Sequence, residues 1–266
     1  EFADAAHYSP IESRDAAATR AITVDGDGNI YTASHAKQTM SNLANRQLGV
    51  SEDYTVGKGS VEGTNLIITK VDKNGQLVWS WELRAVAKGT TGTFNDITVE
   101  PDGTVHAVGR YKGLGHAWYH KAGDPGRPSV NGSGGLIAGD WKMDFECPKE
   151  NGFIVVLNPD GTTKWDRRFK STTWSDIKSV DVNDNGDILL AGRYTGMTWF
   201  NVNNHSPKGV HEDCVKSCPW MSLLSENGGL KWYERWNHCD YAASKPSGAW
   251  DAKFLDDGRI VAVGGY

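Results

Sequence analysis

Residues 96–109 read Asp96-Ile-Thr-Val-Glu-Pro-Asp-Gly-Thr-Val-His-Ala-Val-Gly109. Two short runs rich in β-branched residues flank an Asp-Gly turn, which predicts a β-hairpin. The same unit returns as Ala21-Ile-Thr-Val-Asp-Gly-Asp-Gly-Asn-Ile-Tyr-Thr-Ala-Ser34, as Ser179-Val-Asp-Val-Asn-Asp-Asn-Gly-Asp-Ile-Leu-Leu-Ala-Gly192 and as Asp251-Ala-Lys-Phe-Leu-Asp-Asp-Gly-Arg-Ile-Val-Ala-Val-Gly264. Its turn glycines, Gly28, Gly103, Gly186 and Gly258, are spaced by 75, 83 and 72 residues. In three copies the exit strand continues as Gly109-Arg-Tyr111, Gly192-Arg-Tyr194 and Gly264-Gly-Tyr266.

Between successive copies lies a second hairpin type: Leu66-Ile-Ile-Thr-Lys-Val-Asp-Lys-Asn-Gly-Gln-Leu-Val-Trp79, Phe153-Ile-Val-Val-Leu-Asn-Pro-Asp-Gly-Thr-Thr-Lys-Trp165 and Trp220-Met-Ser-Leu-Leu-Ser-Glu-Asn-Gly-Gly-Leu-Lys-Trp232. Each ends on a Trp four residues beyond its turn glycine. Two hairpins per period give four antiparallel strands per repeat, the content of a propeller blade. The units resemble the bacterial-type β-propeller repeats that read Val-Asp-x-x-Gly-Asn-Ile-Tyr followed by Asp-x-x-Gly-x-Leu-x-Trp. That resemblance covers residues 20–266 and implies an all-β propeller of four-stranded antiparallel blades. It implies no particular function, because propellers of this kind serve as binding modules, scaffolds and enzyme platforms.

The expected blades are 20–85, 93–170 and 174–236, with 247–266 supplying the inner hairpin of a fourth and 1–19 forming an N-terminal segment. About three and a half blades are therefore visible. Either residues 1–19 donate a closing strand, or other subunits or missing blades of the same polypeptide meet the open edge; the repeat count favours the second. Trp79, Trp165 and Trp232 are expected to pack between sheets, each N–H finding a carbonyl. Arg110 and Arg193 are read as blade-to-blade hydrogen-bonding groups, with an anion-binding channel as the other reading.

Composition narrows the function. Lys plus Arg at 28 against Asp plus Glu at 33 gives a net charge of −5 with no basic cluster, a poor counter-surface for nucleic acid. Apolar runs such as Phe153 to Leu157 are far too short to span a bilayer. The chain begins at Glu1 without a Met or leader and reads as a processed form or an excised piece. Cys147, Cys214, Cys218 and Cys239 lie outside the apolar strand patterns and are expected to form disulfides. Around His211, Cys214, Cys218 and His238 zinc is the other reading, but Cys-x3-Cys lacks the usual knuckle spacing. Asn131 and Asn204 sit in acceptor triplets for glycans. An extracellular or cell-surface address through the secretory pathway follows as the expectation.

Long insertions at 35–64, 112–151 and 197–218 are where ligands are expected. The middle one gathers His116, Trp118, Tyr119, His120, Trp141 and Asp144, read either as a sugar-stacking or metal site or as a self-packed loop. Asp181, Asn183, Asn185 and Asp187 resemble the first half of a calcium loop, yet they coincide with the turn that every repeat needs. No nucleophile elbow, phosphate loop or dinucleotide fingerprint is present. The expected function is a non-catalytic module that presents loops to proteins or glycans and builds a surface assembly; the alternative is a carbohydrate-active enzyme, a polysaccharide hydrolase or lyase.

Overall fold

The structure is a computed structural model that describes residues 17–37, 63–85, 89–113, 115–121, 150–199, 211–235 and 248–265. Every regular element among them is a β-strand. The first sheet holds β1 (Ala17–Val24), β2 (Ile30–Lys37), β3 (Thr64–Val71) and β4 (Leu77–Ala85). The second holds β5 (Thr91–Val99), β6 (Val105–Lys112), β8 (Asn151–Leu157) and β9 (Thr163–Phe169). The third holds β10 (Trp174–Val182), β11 (Ile188–Trp199), β12 (His211–Leu224) and β13 (Leu230–Arg235). A final pair, β14 (Gly248–Phe254) and β15 (Ile260–Gly265), forms a two-stranded sheet. Neighbouring strands are antiparallel throughout, and the fold is a β-propeller type in which the described residues form three four-stranded units and one further hairpin.

The remaining strand, β7 (Gly115–Lys121), corrects the expectation that residues 112–151 are a loop. It crosses back to the first sheet and pairs antiparallel with β4, so that sheet has five strands. The third insertion is likewise shorter than expected, since β11 and β12 run on as a paired arm from Gly196 opposite Cys214 to Trp199 opposite His211. Cys214 and Cys218 therefore lie within a strand, and Cys218 is buried.

All seven hairpin turns share one construction. The glycine N–H donates to the carbonyl three residues back, as Gly103 does to Glu100, and the glycine sits at φ between 73° and 90°. That left-handed backbone explains why the repeat places Gly there. Side chains reinforce the turn: the Asn183 Oδ1 accepts from the N–H groups of Asn185 and Asp187 at 3.0 and 2.9 Å.

The core lies between sheets. Phe153, Val155 and Leu157 of β8 pack toward the first sheet against Leu66, Ile68 and Trp79, while Ile154 and Val156 pack toward the third against Ile177, Val180 and Trp220. A strand buried on both faces needs a continuous apolar run, which is what residues 153–157 are. Trp79 is buried, and its Nε1 donates to the Pro159 carbonyl in the next sheet's turn at 3.1 Å. Trp165 repeats the contact one sheet later, donating to the Glu226 carbonyl at 2.9 Å, but it is only half-buried. Trp232 is also half-buried, packed beside β14 and β15.

Candidate functional site

The first strands of consecutive sheets pack against one another, β1 on β5, β5 on β10 and β10 on β14. In each first hairpin the register slips by one residue at the same place, leaving Arg20, Asn95, Lys178 and Trp250 unpaired as β-bulges. A bulge re-aims the extra side chain and bends the strand. Opposite the bulges of the second and third sheets stand Gly109 and Gly192, where a methyl group would collide with the Thr93 and Asp176 carbonyl oxygens. That close approach accounts for the Gly of each Gly-Arg-Tyr sequence. The Arg that follows lies just beyond the bulge, and the Tyr, Tyr111 or Tyr194, is buried.

The bulges of the first three sheets, Arg20, Asn95 and Lys178, and with them Arg110, open onto one cleft of about 540 Å³. Arg20, His35, Arg110 and Lys178 line it, with Glu150 as the acid among the lining residues and the hydroxyls of Thr91 and Thr93 beside them. Arg110 Nε lies 3.2 Å from Glu150 and its Nη1 3.9 Å from Asp176. Lys178 Nζ is 2.7 Å from Asp176, which is fully buried. Asn95 Nδ2 also donates to Asp176, at 2.6 Å. Glu150 is steadied by the Thr91 hydroxyl at 3.3 Å. His35 Nδ1 is 3.3 Å from the Thr93 hydroxyl, and burial first and Arg20 second hold its imidazole below the usual histidine range.

Arg193 extends the same cationic row into the third sheet. Its guanidinium stacks over Trp174 and Trp250 at 4.9 and 5.0 Å, and Lys178 approaches the same Trp250 ring at 5.8 Å. Burial pulls Arg193 below the usual guanidinium range; Asp176 opposes that and Arg110 adds to it. The buried Nε of Arg193 has no hydrogen-bond acceptor among the described residues. The sequence reading singles out Arg110 and Arg193 but passes over Arg20, His35, Lys178 and Glu150.

The other candidates are placed as follows. His116, Trp118, Tyr119 and His120 all lie on β7, paired in register with Arg84, Glu82, Trp81 and Ser80. Tyr119 packs against the core between the first and second sheets, so it is a packing residue rather than a free platform. Trp141, Asp144, Cys147, Cys239, Asn131 and Asn204 lie outside the described residues. Cys218 is disulfide-bonded.

Of the calcium candidates, Asp181 accepts from the Phe254 N–H of the next sheet at 2.8 Å, Asn183 caps its own turn, and Asp187 pairs with Lys231. Among the described residues no group of three or more His, Cys, Asp or Glu side chains is placed to hold a metal. No described helix is long and apolar enough to cross a membrane.

No protein-family profile matches the chain. Elongator complex protein 2 of Danio rerio is 26% identical over 154 residues, which are 54% of this chain and 18% of that protein. The chain thus spans under a fifth of the length of that relative. Among solved structures, a mutant Synechocystis apocarotenoid oxygenase is 12% identical over 79% of this chain and 35% of its own, with a TM-score of 0.30. Raptor of Chaetomium thermophilum is 12% identical over 92% of this chain and 27% of its own, with a TM-score of 0.24.

Proposed function

We propose that the protein is a non-catalytic β-propeller module that works by binding other polypeptide chains in an assembly. One observation carries the reading: two apolar faces are exposed where the repeat elsewhere buries the same positions between blades. At one end, Val261 and Val263 of β15 are 49% and 59% exposed. Their counterparts in β11, Leu189 and Ala191, are buried against Ala249 and Ala252 of the following hairpin. At the other end, Ile22 and Val24 of β1 are 64% and 56% exposed, whereas Ile97, Val180 and Ala252, the counterparts of Ile22, are buried. The two faces are the complementary halves of one repeated contact, so what fits each is another blade-type sheet, of another chain or of further blades of the same polypeptide. Covering what remains exposed of four such side chains is worth about 1–2 kcal/mol apiece before the cost of association.

The similarity to a protein named as a component of a complex supports this reading. An extracellular setting, with the cysteines paired and Asn131 and Asn204 carrying glycans, belongs to the same proposal; intact mass before and after reduction and deglycosylation tests it. Loop binding of glycans beside Trp118 and Trp141 would show on a glycan array. The central test is sedimentation velocity across micromolar concentrations. The wild-type chain associates and Val263→Lys abolishes the association; a wild-type chain that stays monomeric throughout refutes the proposal.

A further inference from the structure

We propose that the cleft between the first three sheets binds the phosphate group of a small phosphorylated ligand. The site is built by the fold: equivalent bulges deliver Arg20 and Lys178 to it, and the residue after the Gly109 constriction delivers Arg110. Three permanent cations line it against one carboxylate, Glu150, in a chain whose net charge is negative. Cations gathered in a cleft of a protein that is acidic elsewhere focus the field on a compact anion. The same negative balance works against a long polyanion such as nucleic acid.

The internal acids do not cancel the site. Asp176 lies beneath it, fully buried, and holds Lys178 and Arg110 from below. Glu150 holds Arg110 from the side. Arg20 has a side chain in solvent at the rim. Two guanidinium groups and an ammonium together supply donors in several directions, which suits a tetrahedral oxyanion better than a planar carboxylate. The volume of about 540 Å³ leaves room for the rest of a small molecule beyond the phosphate. Lys178 connects the cleft to the partly exposed Trp250, whose ring it approaches and Arg193 stacks upon.

The test titrates the chain with inorganic phosphate at constant ionic strength, followed by calorimetry and by chemical shifts of the cleft amides, with chloride and succinate as comparison anions. Phosphate produces saturable shifts confined to β1, β2, β5, β6 and β10, and chloride produces none. Arg20→Gln, at an exposed position, weakens phosphate about fivefold, the loss of one charge-assisted contact. Glu150→Gln, which frees Arg110, strengthens it about threefold. Shifts that fail to saturate, equal shifts with chloride, or unchanged affinity in both variants overturn the proposal. Tighter binding of succinate than phosphate also overturns it and assigns the cleft to an acidic side chain of a protein partner. Because the readout is binding by this chain alone, it stands or falls separately from the association of the end faces.

Discussion

Trp79 and the turn of the following sheet fit together through an absence of side chain. A methyl group at Gly161 would lie 2.6 Å from Trp79 and 2.7 Å from Tyr119, and this glycine also sits at φ +88°. Gly75 has nearly the same backbone, φ +80°, with nothing near a would-be methyl. Comparing the two separates backbone strain from packing. Gly75→Ala should cost about 1–2 kcal/mol from the left-handed conformation alone, and Gly161→Ala should cost about 1–3 kcal/mol more from the collision; urea unfolding of both variants checks the difference. His35 carries the second prediction at this scale. Its folded-state imidazole is held below the usual range, mainly by burial. Well above about pH 6.5 it is neutral in folded and unfolded chains alike. As the pH falls below that value the unfolded chain takes up the proton first, so stability declines until the folded-state value is passed and then levels off. Urea midpoints measured from about pH 7.5 down to about pH 5 should fall more steeply for the wild type than for His35→Gln.

Seven hairpins can be read from residues that are neighbours in the sequence, because each depends on a turn glycine and the alternation on either side of it. The strand β7 cannot be read that way. Its partner β4 ends 30 residues before it begins, with the whole β5–β6 hairpin between, and Gly115-His-Ala-Trp-Tyr-His120 carries neither a turn signal nor a clear apolar alternation. The cleft was half legible. Arg110 and Arg193 stand out because the Gly-Arg-Tyr sequence repeats, whereas Arg20, Asn95, Lys178 and Trp250 occupy one structural position with four different side chains, so identity alone passes over it. Only the constant register slip before each first-hairpin turn marks the column. The extra strand has a measurable consequence for β4. Paired on both sides, by β3 and β7, it should exchange its amides more slowly than β13, which pairs with β12 alone among the described strands. Hydrogen exchange by mass spectrometry should show peptides over 77–85 protected well beyond those over 230–235; equal exchange would remove β7 from the sheet.

Across the whole molecule, the successive sheets behave as repeats of one contact: the face holding Val108 meets that holding Val180, and the face holding Ala191 meets that holding Ala252. The exposed Val261 and Val263 offer the first kind of face, and the exposed Ile22 and Val24 offer the second. An association between such unlike faces is heterologous, each copy using one surface as donor and the other as acceptor, and it differs from a two-fold dimer in a way that mixing can reveal. Ile22→Lys spoils one face and leaves the other intact; Val263→Lys does the reverse. Each variant alone should sediment as a monomer, since every contact needs one face of each kind. Mixed in equal amounts, the intact β15 face of the first should meet the intact β1 face of the second, and the pair should stop at a dimer because both remaining faces carry a lysine. A two-fold interface made from the β15 face alone would instead leave Ile22→Lys dimeric without mixing, and one made from the β1 face alone would leave Val263→Lys dimeric. Sedimentation velocity on the two variants, apart and together, therefore tells whether the sheets of one copy continue those of the next.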